Sequence, residues 1–343
     1  MPVLPVSRGP LSAALLAALS GPAPGLDDAE ALRDVAVPSP ADPFADEDLQ
    51  LALYCAYELH YRGLDGVDAA WEWSPALLAL RGRMEAVFEA GLRALVPDVG
   101  PAPSAEDVDL AIREIAAEDA PGLSQYLQRS ATIDQYREVL VQRSAYQLKE
   151  ADPHSWAMPR LYGAPKAALV EIQADEYGGG RPERMHARLF ADTMEALGLD
   201  SDYGAYLDRI PARALSTVNL MSFFGLHRRW RGAIIGHLAL FESTSSIPNG
   251  RYAAGLRRLG RDDEAAVAFF DEHVEADAVH ENLATVDMAG GLIRQDPSLA
   301  GDVLFGARCL AELEGAWTGE VLAAFEAGRS SLLHPLERTP VAA

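Results

Sequence analysis

From Ser104 to about residue 330, nearly every apolar run in this chain repeats with the period of a helix, and none alternates with the period of a strand. A helix with one apolar stripe must lay that stripe against another element. A long series of such helices with short connections therefore predicts an all-α helical bundle. The spacing predicts helices over 105–118, 122–129, 131–151, 164–177, 182–197, 201–208, 212–241, 249–258, 262–289, 297–313 and 316–330. Val, Ile and Thr do not gather in alternating runs, and no internal repeat is present.

Upstream of this region the pattern changes. Residues 1–45 are rich in Pro, Ala, Gly and Asp and read as an irregular N-terminal arm. Within it, Leu11, Leu15, Leu16 and Leu19 form a helical stripe. With Arg8 ahead of it this stretch faintly resembles a secretory leader, and the stripe favours a short helix instead. Residues 46–104 read as two accessory helices. Asp46 caps the first, Gly63 ends it, and Pro75 opens the second after a loop bearing Trp71 and Trp73. Residues 105–335 form the main helical domain, and the last residues, LERTPVAA, read as a frayed tail.

Composition removes several function classes. The chain has 343 residues, with 51 acids against 29 bases and a formal charge of −22. A field of that sign repels phosphate backbones and anionic membrane surfaces, so neither nucleic acid nor membrane is an expected partner. No uncharged apolar run approaches the ~20 residues of a membrane span. The two cysteines, Cys55 and Cys309, have no metal or redox spacing and read as buried free thiols of a cytoplasmic protein.

Two segments carry residues suited to metal chemistry. In FFDEHVEADAVHE, residues 269–281, His273, Asp277 and His280 fall within an arc of roughly 60° on a helix. Two imidazoles and a carboxylate on one face suit iron, manganese or zinc. In EIQADEYGGGRPERMHARLF, residues 171–190, Glu183 and His186 are three apart, and Glu176 lies seven before Glu183. All three share a face if the helix runs through Gly178, Gly179 and Gly180. A break there, with Pro182 opening a new helix, is the alternative. Diiron bundles take an acid-x-x-His motif from each of two helices and a single Glu from each of two others. Glu150, at the end of a periodic helix, and Glu242, after the apolar run IIGHLALF, are the candidates for the single carboxylates. Chance alone supplies about one acid-x-x-His pair among eight histidines and 51 acids in 343 residues, so a solvated acidic face with incidental histidines is the rival account.

Taken together, Glu150, then DEYGGGRPERMH with Glu176, Glu183 and His186, then HVEADAVH with His273, Asp277 and His280, resemble the iron-containing redox enzymes of the haem-oxygenase-like diiron oxidase superfamily. The resemblance covers about Ser130 to Ser330 and extends with less weight to Glu242. It implies a haem-oxygenase-like bundle of about seven core helices, here with extra N-terminal helices. It also implies two non-haem iron ions held by those eight residues, and O₂-dependent oxidation of a small organic substrate by N-oxygenation, decarboxylation or C–C or C–H oxidation. The partners implied are that substrate, O₂ and an electron donor; the Trp-bearing N-terminal helices add the expectation of a homodimer. Two other functions stand beside this one: a haem-binding or haem-degrading protein on the same fold, and a metal-free helical binding or scaffold protein. His60, His154, His227 and His237 read as structural, and the basic island Arg228, Arg229 and Arg231 reads as a partner for the many acids.

Overall fold

The structure, a computed structural model, describes residues 1–25, 31–118 and 122–337; over 275–279 it describes the helical backbone and not the side chains. Among the described residues there is no strand. The helices are α1 (Pro10–Leu19), α2 (Glu47–Glu58), α3 (Pro75–Leu95), α4 (Val108–Ala116), α5 (Leu123–Arg129), α6 (Ile133–Gln147), α7 (Asp152–Ser155) and α8 (Gly163–Glu176). They continue as α9 (His186–Ala196), α10 (Ala212–Leu226), α11 (Arg231–Arg258), α12 (Glu264–Asn282), α13 (Gly291–Gln295) and α14 (Ala300–Glu326). Among the described residues no helix is long and apolar enough to cross a membrane.

Local chemistry explains the starts. Asp46 accepts a hydrogen bond from the Leu49 N–H at 2.8 Å, as the sequence predicts, and Pro75 is the first residue of α3. Thr132 and Gln135 form a reciprocal capping box ahead of α6. These caps satisfy backbone donors that a helix leaves open at its first turn.

Several helix ends differ from the periodicity. The helix predicted over 212–241 breaks at His227, whose backbone is extended. Arg160 caps the open carbonyls of Gly225 and Leu226, and His227 Nε2 turns to Glu85 at 2.9 Å. The predicted gap at 242–248 is closed, and α11 runs through Pro248. Proline removes one helical hydrogen bond, but α11 is packed against α5, α12 and α14, and that packing holds a helix of 28 residues together. The predicted pair 297–313 and 316–330 is one helix, α14, because Gly315 lies mid-helix with nothing near it to force a turn. The 262–289 prediction is met by α12 and a π-helical stretch, Leu283–Gly290. The 201–208 segment is mostly turn, with a 3-10 turn over Leu207–Arg209. Helix α6 stops at Gln147, three residues short of Glu150.

One continuous core runs from Leu11 of α1 to Leu332 near the C-terminus. Its closest crossing is between α11 and α14. A Cβ on Gly236 would overlap the Val303 carbonyl oxygen, and a Cβ on Gly306 would overlap that of Ala233. The N-terminal helices join the same core through α10, where Asn219 donates to the Gln50 backbone and side-chain oxygens at 2.9 and 2.8 Å. Two arginines of the basic island are paired with acids, Arg229 with Glu89 at 2.6 Å and Arg231 with Asp296 at 3.0 Å.

The crossing gives a direct test. Gly236→Ala must push two helix backbones apart and is expected to cost about 3 kcal/mol, read as a lower midpoint of urea denaturation. Gly315→Ala, mid-helix in open space, is expected to raise the midpoint by the ~1 kcal/mol that separates the two residues in helix propensity.

Candidate metal centre

Six of the eight candidate residues converge in the bundle interior. Glu150 follows the end of α6, Glu176 is the last residue of α8, and His186 is the first of α9. Glu242 comes from α11, and His273 and His280 come from α12, which packs against both α9 and α11. All six are buried. They form two sets. Glu150, Glu176, His186 and His273 each offer a donor atom within 4.8 Å of the others, and so do Glu176, Glu242 and His280. Glu176 belongs to both.

The pairwise contacts are Glu176 Oε2 to His186 Nδ1 at 3.1 Å, Glu150 Oε1 to His273 Nε2 at 3.7 Å, and Glu242 Oε2 to His280 Nδ1 at 3.4 Å. The His186 and His273 rings lie 4.4 Å apart.

Hydrogen bonds on the far sides of two rings fix which nitrogen faces inward. His273 Nδ1–H donates to the Phe269 carbonyl at 2.7 Å, which leaves Nε2 directed at Glu150. His280 Nε2–H donates to Asp175 at 3.1 Å, which leaves Nδ1 directed at Glu242. Outward protons held by a carbonyl or carboxylate are the usual support of metal-binding imidazoles. Asp175 is therefore part of the arrangement although the sequence reading passed over it; the one trace was a second acid beside Glu176.

Glycines explain how Glu176 and His186 meet. Gly178, Gly179 and Gly180 all have left-handed φ, between 60 and 80°, and reverse the chain between α8 and α9. A Cβ on Gly178 would collide with the backbone of Arg184 and Met185.

That reversal corrects the expectation for Glu183. It sits in a 3-10 turn, Pro182–Arg184, and is exposed. Met185 is extended, so Glu183 and His186 are not on one helix face. The break at the glycines, not the through-helix, is what the chain adopts. Glu183 is not brought to the cluster; Glu176 supplies the carboxylate beside His186. The Asp277 side chain lies outside the described residues.

The residues present fit a pair of cations. Glu150 Oε2, His186 Nδ1 and His280 Nδ1 are buried and accept or donate no aligned hydrogen bond within the protein. Buried polar atoms are seldom left so. Nitrogen and oxygen donors in this mixture suit iron, manganese or zinc. The electrostatics agree. Burial pulls the His186 pKa down, but the Glu176 carboxylate outweighs it and the net shift is upward. Burial likewise opposes protonation of His280, yet the Glu242 carboxylate facing its ring outweighs this and raises it to about 9. Glu176 is pushed up by burial and more strongly down by His186, ending below the usual carboxylate range. Without metal the centre attracts protons; it is a sink for positive charge.

A neighbouring histidine pair behaves in the opposite way. His154 Nε2 and His237 Nδ1 are 3.1 Å apart and fully enclosed. Burial lowers His154 to about 4 and His237 well below its ordinary value, so both are neutral.

A cavity of about 1510 Å³ reaches Glu150, Glu242 and His273 from the surface. Phe190, Phe241, Phe269 and Phe270 wall it near the cluster, and the Arg143–Glu314 ion pair, at 2.6 Å, lies further along the wall. The cavity mixes these rings with many polar residues, so it offers a small molecule both apolar and polar contacts.

Two tests follow from this geometry. Metal binding must displace the imidazole protons, so affinity for Mn(II) is expected to rise with pH from 6 towards 9. Titration in weak buffer at pH 7.5 is expected to release protons, and His280→Ala to release fewer. Glu183→Ala is expected to bind Mn(II) like the wild type, whereas Glu176→Ala binds it at least ~10-fold more weakly.

A family model described as iron-containing redox enzyme matches residues 137–315, which hold all six converging residues. The chain is also 30% identical over 145 residues to a nitrosourea synthase of Streptomyces achromogenes subsp. streptozoticus, a stretch covering 42% of this chain and 31% of that protein. The similarity thus spans under a third of the relative's length.

Proposed function

Because the chain belongs to the family of iron-containing redox enzymes with a haem-oxygenase-like fold, we propose that it is a non-haem diiron oxidase or oxygenase that uses O₂ to oxidise a small organic substrate. The observation that carries this reading is the sharing of Glu176 between two carboxylate–imidazole sets. One metal ion needs no such duplication. A haem needs an axial ligand and a flat apolar slot, not three carboxylates among three imidazoles.

In this reading Glu150, Glu176, His186 and His273 hold one iron, and Glu176, Glu242 and His280 hold the other. Bound iron supplies the electrons that reduce O₂ and the oxidising power that follows. The protein does the rest. The Phe269 carbonyl and Asp175 keep protons on the outer nitrogens of His273 and His280, so the inner nitrogens stay available as donors. Phe190, Phe241, Phe269 and Phe270 would give a bound molecule apolar contacts, and the Arg143–Glu314 pair a polar contact. The name of the related nitrosourea synthase favours oxidation at nitrogen among the outcomes open to such a centre. The partners that go with this reading are the substrate, O₂ and an electron donor.

The experiment is an anaerobic Fe(II) titration of metal-free protein, followed by mixing with O₂. Two irons per chain and rapid O₂ uptake are expected for the wild type. Glu242→Ala should keep one iron, and Glu176→Ala should lose tight binding of both. Equal, weak binding by all three proteins would overturn the proposal.

A further inference from the structure

Glu150 lies outside any helix. It sits in the turn after α6, and Ala151, the next residue, has a left-handed φ of 69°, the one positive φ at a non-glycine among the described residues. Such a conformation persists only where its surroundings enforce it. What enforces it from the outer side is the accessory N-terminal region.

Two polar contacts reach the turn from α2 and the residues after it, and a third steadies one of them. Arg62 Nη2 donates to the Leu148 carbonyl at 2.7 Å. Glu58 Oε2 pairs with Lys149 Nζ at 2.9 Å, with both side chains essentially out of solvent. Tyr203 donates to the same Glu58 oxygen at 2.6 Å. The Lys149 ammonium also lies over the rings of Tyr61 and Tyr54, at 4.1 and 5.0 Å. From the inner side Gln173 Nε2 holds the Ala151 carbonyl at 3.0 Å. Residues 148, 149 and 151 are thus each gripped by another element, and the residue between them is Glu150.

A fully buried lysine–glutamate pair is a poor device for stability, since apolar residues of equal volume do as well. It is a good device for register, because only one placement of the two segments satisfies both charges. Here the register it fixes is that of the turn bearing Glu150. We propose that Glu58, Arg62 and Lys149 are positioning residues of the metal centre, which hold the Glu150 carboxylate beside Glu176, His186 and His273, so that the N-terminal helices form part of one metal site and not of the other. The proposal rests on the reading of Glu150 as a metal ligand.

The asymmetry supplies the test. Glu150 belongs to the first donor set alone, and Glu242 to the second alone. Co(II) is titrated into the metal-free full chain without oxygen and followed by its visible absorption. Arg62 is an exposed residue, so Arg62→Ala leaves the core packing intact should Glu58→Gln fail to fold. Both variants are expected to weaken one of the two Co(II) equivalents about 10-fold or more and to alter its absorption band. The equivalent that Glu242→Ala removes should keep its affinity and band, and Arg62→Lys should restore the first. Glu150→Ala is measured alongside. If it loses one equivalent while Arg62→Ala and Glu58→Gln bind both normally, or weaken both alike, the positioning role is overturned. If Glu150→Ala itself binds both normally, the assignment of Glu150 as a ligand is what has failed.

Discussion

Three carboxylates and three imidazoles packed together inside a helical bundle dominate the physics of this protein. Glu150, Glu176 and Glu242 are each less than a tenth exposed. A lone buried carboxylate is costly unless it is neutralised or hydrogen-bonded. The imidazoles meet that demand in part, by taking protons, as the raised pKa values of His186 and His280 reflect. The surrounding fold is what keeps the groups together. The α11–α14 crossing is close enough to admit only glycine at Gly236 and Gly306. That seam holds α11 and hence Glu242, while α12 lies against α11 and carries His273 and His280.

The helical class and most helices were legible because periodicity reports burial of one face. What periodicity misses is where a chain leaves the helix for a reason that lies far away in sequence. His227 departs because Glu85 and Arg160 are there to receive it and the carbonyls behind it. Pro248 fails to end α11 because the helix as a whole is packed against three others. Both outcomes are tertiary, and neither partner is a neighbour in the chain.

The site was legible in a similar, partial way. His273 and His280 could be paired from helix geometry because they share α12. Glu176 and His186 are legible as candidates, and a break at the glycines is one of two readings the sequence leaves open, but both keep Glu183 beside His186 on a helix. The three glycines make a reversal instead, so residues ten apart meet and the one between them faces solvent. Asp175 went unseen because its role depends on which way His280 faces. Glu58 and Arg62 could not be connected to Glu150 at all, since nearly a hundred residues separate them and the bond is a buried charge pair.

The double membership of Glu176 has a thermodynamic consequence. If each donor set takes an ion, as proposed, whatever the first does to that carboxylate it does to a ligand of the second. Fixing it removes conformational freedom that the second ion would otherwise have to remove itself, which favours joint occupancy; the repulsion between two cations opposes it. The two binding events are therefore linked, and by reciprocity each changes the other's affinity by the same factor. A chain with one ion is then not half of a loaded chain but a distinct state, whose population depends on how these two effects balance.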